Sequence, residues 1–299
     1  MGGVVDGPPG LAVSARDFGL AGPRGWAFRG ITVEAEPGSL IAVEGPSGSG
    51  RTCLLLALTG RMKPTEGSAA VGGFDLPKRM GAVRRVSALA HVSGVTDLDP
   101  ALTVGEHLRE RALLQRRFTS LRGLLRPRGE RAAETRRDIE AALTAAGLDV
   151  EALPKGTRTA VRDLERLEAL RLSLALALIG RPRLLGVDDV GLKLSSAERA
   201  AAWDQLRSIA ATGTTVVAVC TEAPEDTVIV QTGTENAESP DTAADREKGT
   251  DTTAGSTDST ENTDTAANST DSSESSGTAA GRDDDGKEAA DALAETGRS

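Results

Sequence analysis

Between Ser39 and Leu58 the chain passes from one apolar stretch, Ser39-Leu40-Ile41-Ala42-Val43-Glu44, through Gly45-Pro46-Ser47-Gly48-Ser49-Gly50-Arg51-Thr52, into a second, Cys53-Leu54-Leu55-Leu56-Ala57-Leu58. The first stretch reads as a mostly buried strand and the second as a helix, so the glycines occupy the turn between them. In such a turn successive backbone N–H groups point into one concavity, and the helix N-terminus adds partial positive charge. Polyphosphate is the ligand that nest suits. The spacing G-x-x-x-x-G-K-[ST] is met at Gly45, Gly50 and Thr52, with Arg51 standing where the lysine is expected. Thr52 can place its hydroxyl on Mg²⁺, and Asp188, at the end of the apolar run Leu184-Leu185-Gly186-Val187, can supply the carboxylate such an ion also needs.

The flanking patterns place this unit in a larger α/β order. Ile31 to Ala35 alternates with period two, and Ala69 to Val71 is a short strand framed by turns at Pro64–Gly67 and Gly72-Gly73. Thr103 and Glu106 have capping-box spacing and open an Arg-rich helical stretch that breaks at Pro127-Arg128-Gly129 and ends near Gly147. A further helix is expected over Val161–Ile179, a strand over Arg183–Asp189, and a helix capped by Ser195 and Glu198 that runs through Ala210. Thr214–Cys220 and Asp226–Val230 read as the last strands. Strands alternating with helices predict a mostly parallel sheet interrupted by a helical insertion.

With these stretches in order, the chain resembles the ATP-binding subunit of an ABC transporter. The resemblance covers most of residues 11–231 and rests on Ala27–Ile31 leading to Pro37–Leu40, the glycine loop, Pro64–Gly67 with Gly73, Leu102–Glu106, Pro182–Leu185 before Asp188, and Gly213–Val217. It implies an α/β P-loop NTPase fold with a mostly parallel central sheet, an antiparallel β edge and a helical subdomain over about residues 92–180. It also implies ATP and Mg²⁺ as cofactors, held by residues 45–52 and by Asp188, and two such subunits, identical or different, closing on ATP beside a separately encoded polytopic membrane protein.

At the reactive positions the sequence departs from that family's pattern. Arg51 keeps the lysine's charge but exchanges a compact ammonium for a planar fork. His91 takes the place of a glutamine that senses Mg²⁺ and the attacking water; a loop histidine without a role is the alternative. The signature L-S-G-G-Q falls on Leu164-Glu165-Arg166-Leu167-Glu168, where only the leucine agrees. Glu165 would face a phosphate held by the opposite subunit, and unit like charges about 4 Å apart repel by roughly 1 to 4 kcal/mol. Asp189 stands for the general-base glutamate, Thr221 for the switch histidine and Ser195 for an inter-subunit aspartate. Removing one methylene withdraws the Asp189 carboxylate by about 1 Å, a displacement that can slow a reaction around a hundredfold. These losses together predict slow hydrolysis, or a regulatory or structural role without it. For adenine stacking the candidates are Trp26 and Phe18. Trp26 is preferred for its larger face, and core packing is the alternative for both. His107 is expected at the surface.

Charge completes the division of the chain. Of 44 acidic and 35 basic side chains, 17 and 5 fall in residues 231–299, leaving 27 and 30 in the body. That C-terminal stretch has Leu293 as its only large aliphatic side chain and cannot offset the entropy of ordering. The expected domains are thus a flexible 1–10, an ATPase-like 11–231 and an acidic, disordered tail over 232–299. Ten arginines between Arg109 and Arg137 oppose Glu110, Glu130 and Glu134, a face suited to a membrane partner or anionic lipid, or a solvated helix surface. The longest aliphatic run, Leu172–Ile179, is far short of the roughly 20 residues a membrane span needs. Met1–Gly10 has no secretory pattern. Two cysteines, Cys53 and Cys220, imply neither a disulfide framework nor a metal site. The expected location is therefore the cytoplasm, at the inner face of the plasma membrane through a partner. A near-neutral body carries no nucleic-acid signature.

Overall fold

The glycine loop lies at the C-terminal edge of a parallel sheet, and the rest of the fold explains how it is held there. The computed structural model describes residues 10–23, 25–118 and 128–233. Residues 1–9, the tail beyond Gly233, and Pro127 with Arg122 and Arg126 lie outside the described residues, as do the side chains of Arg116, Arg117, Arg128 and Arg131.

Two strands, β1 (Val13–Gly22) and β2 (Gly25–Ala35), form an antiparallel pair. With β4 (Glu66–Val71) and β5 (Phe74–Leu76) they make a four-stranded antiparallel sheet of order β2-β1-β4-β5. The second sheet is parallel, in the order β6 (Ser87–Ala90), β7 (Leu184–Val187), β8 (Thr215–Cys220), β3 (Leu40–Glu44), β9 (Val228–Gln231). This matches the expected parallel sheet with an antiparallel edge. Strand β8 shows why the two layers cohere: Val217 and Val219 pack with Phe18, Phe28 and Leu54 on one face, while Val216, Ala218 and Cys220 pack with Leu174, Trp203 and Leu206 on the other. A strand apolar on both faces is what a doubly covered parallel sheet requires.

The helices are α1 (Arg51–Leu58), α2 (Met80–Val86), α3 (Val104–Phe118), α4 (Arg128–Ala146), α5 (Arg166–Leu178) and α6 (Ser196–Ala211). Helices α3, α4 and α5 share a separate core of Val104, Leu108, Ala142 and Leu172, joined by Leu148 and Ile179 just beyond α4 and α5. Helix α5 also sends Leu170 and Leu174 to the sheet. Serving two cores is the reason Leu170–Leu178 is apolar nearly all round. The helix begins later than the expected Val161, because Val161–Asp163 is a 3-10 turn and Leu164 and Glu165 are extended. Among the described residues no helix is long and apolar enough to cross a membrane.

Candidate functional site

Strand β3 delivers the chain into Gly45–Gly50 at the sheet edge where β6, β7 and β8 also end. Gly50, with φ 83°, is the N-cap of α1, and a Cβ there would lie 1.8 Å from the carbonyl oxygen of Ala27. Strand β2 is thus pressed against the loop, and only glycine fits the left-handed turn. No side chain caps α1 and no acid occupies its first turn. The first-turn N–H groups, which have no intrahelical partner, are therefore left for an anion.

Across from the loop, the Thr52 hydroxyl donates to Asp188 Oδ2 at 2.8 Å. Asp188 is 3% exposed, and its other oxygen accepts from the Asp189 amide at 3.1 Å. Desolvation pushes the Asp188 carboxyl above the usual aspartate range. The Thr52 hydrogen bond opposes that rise, and the charge of Asp189 adds to it. A partly buried hydroxyl–carboxylate pair offers two hard oxygens, which fits Mg²⁺. No group of three or more His, Cys, Asp or Glu able to hold a metal ion exists among the described residues. The remaining ligands would have to come from a nucleotide and water, the usual arrangement for this ion.

The backbone brings two more expected residues to the same edge. The Asp188 amide donates to the Ala90 carbonyl, joining the end of β7 to that of β6, where His91 follows with φ 56°. The imidazole is held below its ordinary pKa by desolvation, which outweighs the attraction of Asp189, Asp188 and Asp97. His91 as a whole is exposed, so its ring is crowded by its neighbours rather than sealed in. Asp189, with φ 47°, has a half-buried carboxylate that makes no hydrogen bond or ion pair among the described residues.

Arg51 behaves differently from a phosphate-reaching lysine. It is 9% exposed, and its guanidinium donates to the carbonyl of Cys220, the last residue of β8, at 2.5 Å. Thr221, just beyond, is exposed. Ser49 also turns inward: its hydroxyl meets that of Thr232 at 2.7 Å, and Thr232 donates to the Glu44 carbonyl at 3.1 Å. Thr232 thereby locks the loop from behind. No local pattern in the sequence flags it, because the contact spans 183 positions.

Of the two stacking candidates, Phe18 is fully buried against Phe28, with ring centroids 5.7 Å apart. Trp26 is 38% exposed, one residue from the Ala27 carbonyl that touches Gly50, with the Arg29 guanidinium 4.6 Å over its ring. Leu164 and Glu165 lead into α5, followed by Arg166, Leu167 and Glu168 in its first turn. The Glu168 carboxylate accepts from the Glu165 amide at 2.8 Å. Two carboxylates therefore crowd the α5 N-terminus. Ser195 caps α6, accepting from the Glu198 amide at 3.3 Å and donating to the Glu198 carboxylate at 2.6 Å. His107 corrects an expectation: it is buried, not at the surface, and its Nε2 lies 3.2 Å from the Asp99 carbonyl.

A family model described as ABC transporter matches residues 28–190. The cytochrome c biogenesis ATP-binding export protein CcmA of Cupriavidus necator is 36% identical over 168 residues, which are 56% of this chain and 65% of the relative. The Nod factor export ATP-binding protein I of Burkholderia thailandensis is 30% identical over 188 residues, 63% of this chain and 55% of the relative. The chain thus spans less than two thirds of the length of these relatives. Among solved structures, cbiO1 from Clostridium perfringens, part of the transporter complex cbiONQ, superposes with a TM-score of 0.56 at 17% identity over 70% of this chain and 78% of that one. A dimeric ATP-binding cassette bound to ADP and Pi gives 0.54 at 20% identity, covering 70% and 88%.

Proposed function

The chain belongs to the ABC transporter family, and from that premise we propose that it is an ATP-binding subunit that takes MgATP at Gly45–Thr52 and hydrolyses it slowly, to drive or regulate a separately encoded membrane protein. The α/β fold is that of a P-loop NTPase, and membership in the family implies nucleotide binding. The observation that carries the finer reading is the Thr52–Asp188 hydrogen bond facing an open helix N-terminus.

In this reading Gly45, Pro46, Ser47, Gly48, Ser49 and Gly50 shape the backbone cradle, and Arg51 contributes charge to it. Trp26 offers its accessible face to the adenine. Thr52 and Asp188 would hold Mg²⁺, which when bound supplies charge neutralisation for the transferred phosphate. Asp189 takes the proton of the attacking water, and His91, neutral near neutral pH, orients that water by hydrogen bonding. The short Asp189 arm accounts for slow turnover.

A second reading has a specific observation behind it. Glu165 and Glu168 put negative charge at the α5 N-terminus, where a second copy's phosphate would need to dock in a symmetric dimer. That arrangement favours pairing with a different subunit, with this chain in a regulatory or structural role. In both readings the protein works at the cytoplasmic face of the membrane through its partner.

Phosphate release by the purified chain, alone and with its partner, separates the two. In the first reading Asp189→Asn lowers turnover by at least about a hundredfold while leaving ATP affinity intact. ATP binding without release in any pairing would eliminate the enzymatic reading.

A further inference from the structure

Arg51 is a buried cation with a neutral partner. Its guanidinium donates to the Cys220 carbonyl at 2.5 Å, and among the described residues it forms no ion pair. Desolvation raises the Asp188 carboxyl, and Arg51 is near enough for its charge to oppose that rise, yet the fork turns to the carbonyl. Such a bond orients a guanidinium without neutralising it and leaves further N–H groups to donate.

The carbonyl it grips is a junction. Cys220 ends β8, and one residue back the Val219 carbonyl accepts from the Val190 amide at 2.9 Å, directly after Asp189. Beyond Cys220 the chain runs through Thr221, Glu222 and Ala223, the first two exposed. It is gripped again further on. Both oxygens of the Asp226 carboxylate accept from Arg207 of α6, at 2.6 and 2.8 Å, and the Thr227 hydroxyl donates to the Pro224 carbonyl at 2.7 Å. Thr221–Ala223 is thus a short span between two arginine contacts, Arg51 before it and Arg207 after it.

We propose that Arg51 is a positioning residue that exchanges partners: in the ligand-free chain it anchors the start of Thr221–Ala223 through the Cys220 carbonyl, and a polyphosphate at Gly45–Thr52 takes the guanidinium over and releases that span. The exchange rests on the reading of Gly45–Thr52 as a nucleotide site. A phosphate oxygen is charged and the carbonyl is neutral, and a hydrogen bond between ionised groups is roughly twice as strong as one between neutral groups. Arg51 is the first residue of α1, so its aliphatic arm lets the fork change partners while the helix stays in place. Thr221 has no imidazole with which to meet a phosphate. The arginine couples it to the ligand instead, from the loop side.

The test uses the full-length chain and a glutamyl endopeptidase, with cleavage after Glu222 followed by mass spectrometry so that cuts in the acidic tail are counted apart. MgATP, magnesium tripolyphosphate and adenosine are the ligands, and calorimetry measures the binding of each. MgATP and tripolyphosphate are expected to speed cleavage after Glu222 by about tenfold or more, whereas adenosine leaves it unchanged. Arg51→Met is expected to be cut at the fast rate with no ligand present. A phosphate-dependent rise is a response that an arginine serving only as a structural brace would not give. If Arg51→Met shows no thermal unfolding transition, the ligands on the wild-type chain still decide. MgATP binding without faster cleavage, an equal effect of adenosine, or a folded Arg51→Met cut as slowly as the ligand-free wild type would overturn the proposal and leave the nucleotide reading standing. No binding of MgATP or tripolyphosphate would refute that reading and the exchange with it.

Discussion

Asp188 sits where the requirements of binding and of stability oppose each other. Desolvation raises its pKa in the folded chain, with the Thr52 hydroxyl offsetting part of the rise. The native state then holds the proton more tightly than the unfolded state, so stability falls as pH climbs from the ordinary aspartate value through the raised one. At neutral pH the ionised carboxylate is a net cost that a bound cation would remove. Asp188→Asn is expected to stabilise the ligand-free protein by about 1 kcal/mol in urea denaturation at neutral pH. The same variant should lose the gain in ATP affinity that Mg²⁺ confers, read by titration with and without the metal. A lower midpoint would show that the carboxylate is stabilising and refute the account. Arg51 teaches a different lesson at this scale. Its positive charge in the loop was legible in the sequence, but its direction was not. The Cys220 carbonyl that receives it lies 169 positions away.

At the scale of elements, the glycine loop and the helix caps were readable because their signals are local. Gly50 is the sharpest case. A side chain there must adopt φ 83° and occupy the space of the Ala27 carbonyl. Gly50→Ala is expected to cost about 1–2 kcal/mol from the backbone conformation alone. It should also displace the loop enough to abolish detectable ATP binding; wild-type affinity in a titration would contradict this. Ser195 answers to a milder rule. As the N-cap of α6 it exchanges hydrogen bonds with Glu198, so Ser195→Ala should lower stability by about 1 kcal/mol without changing ATP affinity, as checked by urea unfolding and nucleotide titration. Other elements left little trace in the sequence. Strand β1 is irregular between Ala15 and Ala21, with Asp17 at φ 46°, and these bulges break the period-two alternation that betrays a strand. Strand β6, Ser87-Ala88-Leu89-Ala90, is buried at all four positions and too short to show a period. The sequence places the start of α5 too early because Val161 and Leu164 continue the three-residue apolar spacing of Leu167 and Leu170, while the backbone at Val161 forms only a 3-10 turn.

For the whole molecule, the boundary between body and acidic tail becomes a matter of single residues. The expected cut before residue 232 would remove Thr232, which is 3% exposed and bonded to Ser49 and Glu44 behind the loop. A chain ending at Gly233 is expected to bind ATP like the full-length protein, whereas one ending at Gln231 should bind more weakly and unfold at a lower temperature. Equal behaviour of the two truncations would remove Thr232 from the site. The sequence alone determined the strands and helices other than β1, β5, α2 and β6, the glycine loop and the carboxylate-rich signature, because each is written in neighbouring residues through periodicity, capping and charge. Only the tertiary structure decided that Arg51 turns to Cys220, that Thr232 braces Ser49 and that His107 is buried. Those are contacts between residues distant in sequence, and they exist only once the sheets and helices have packed.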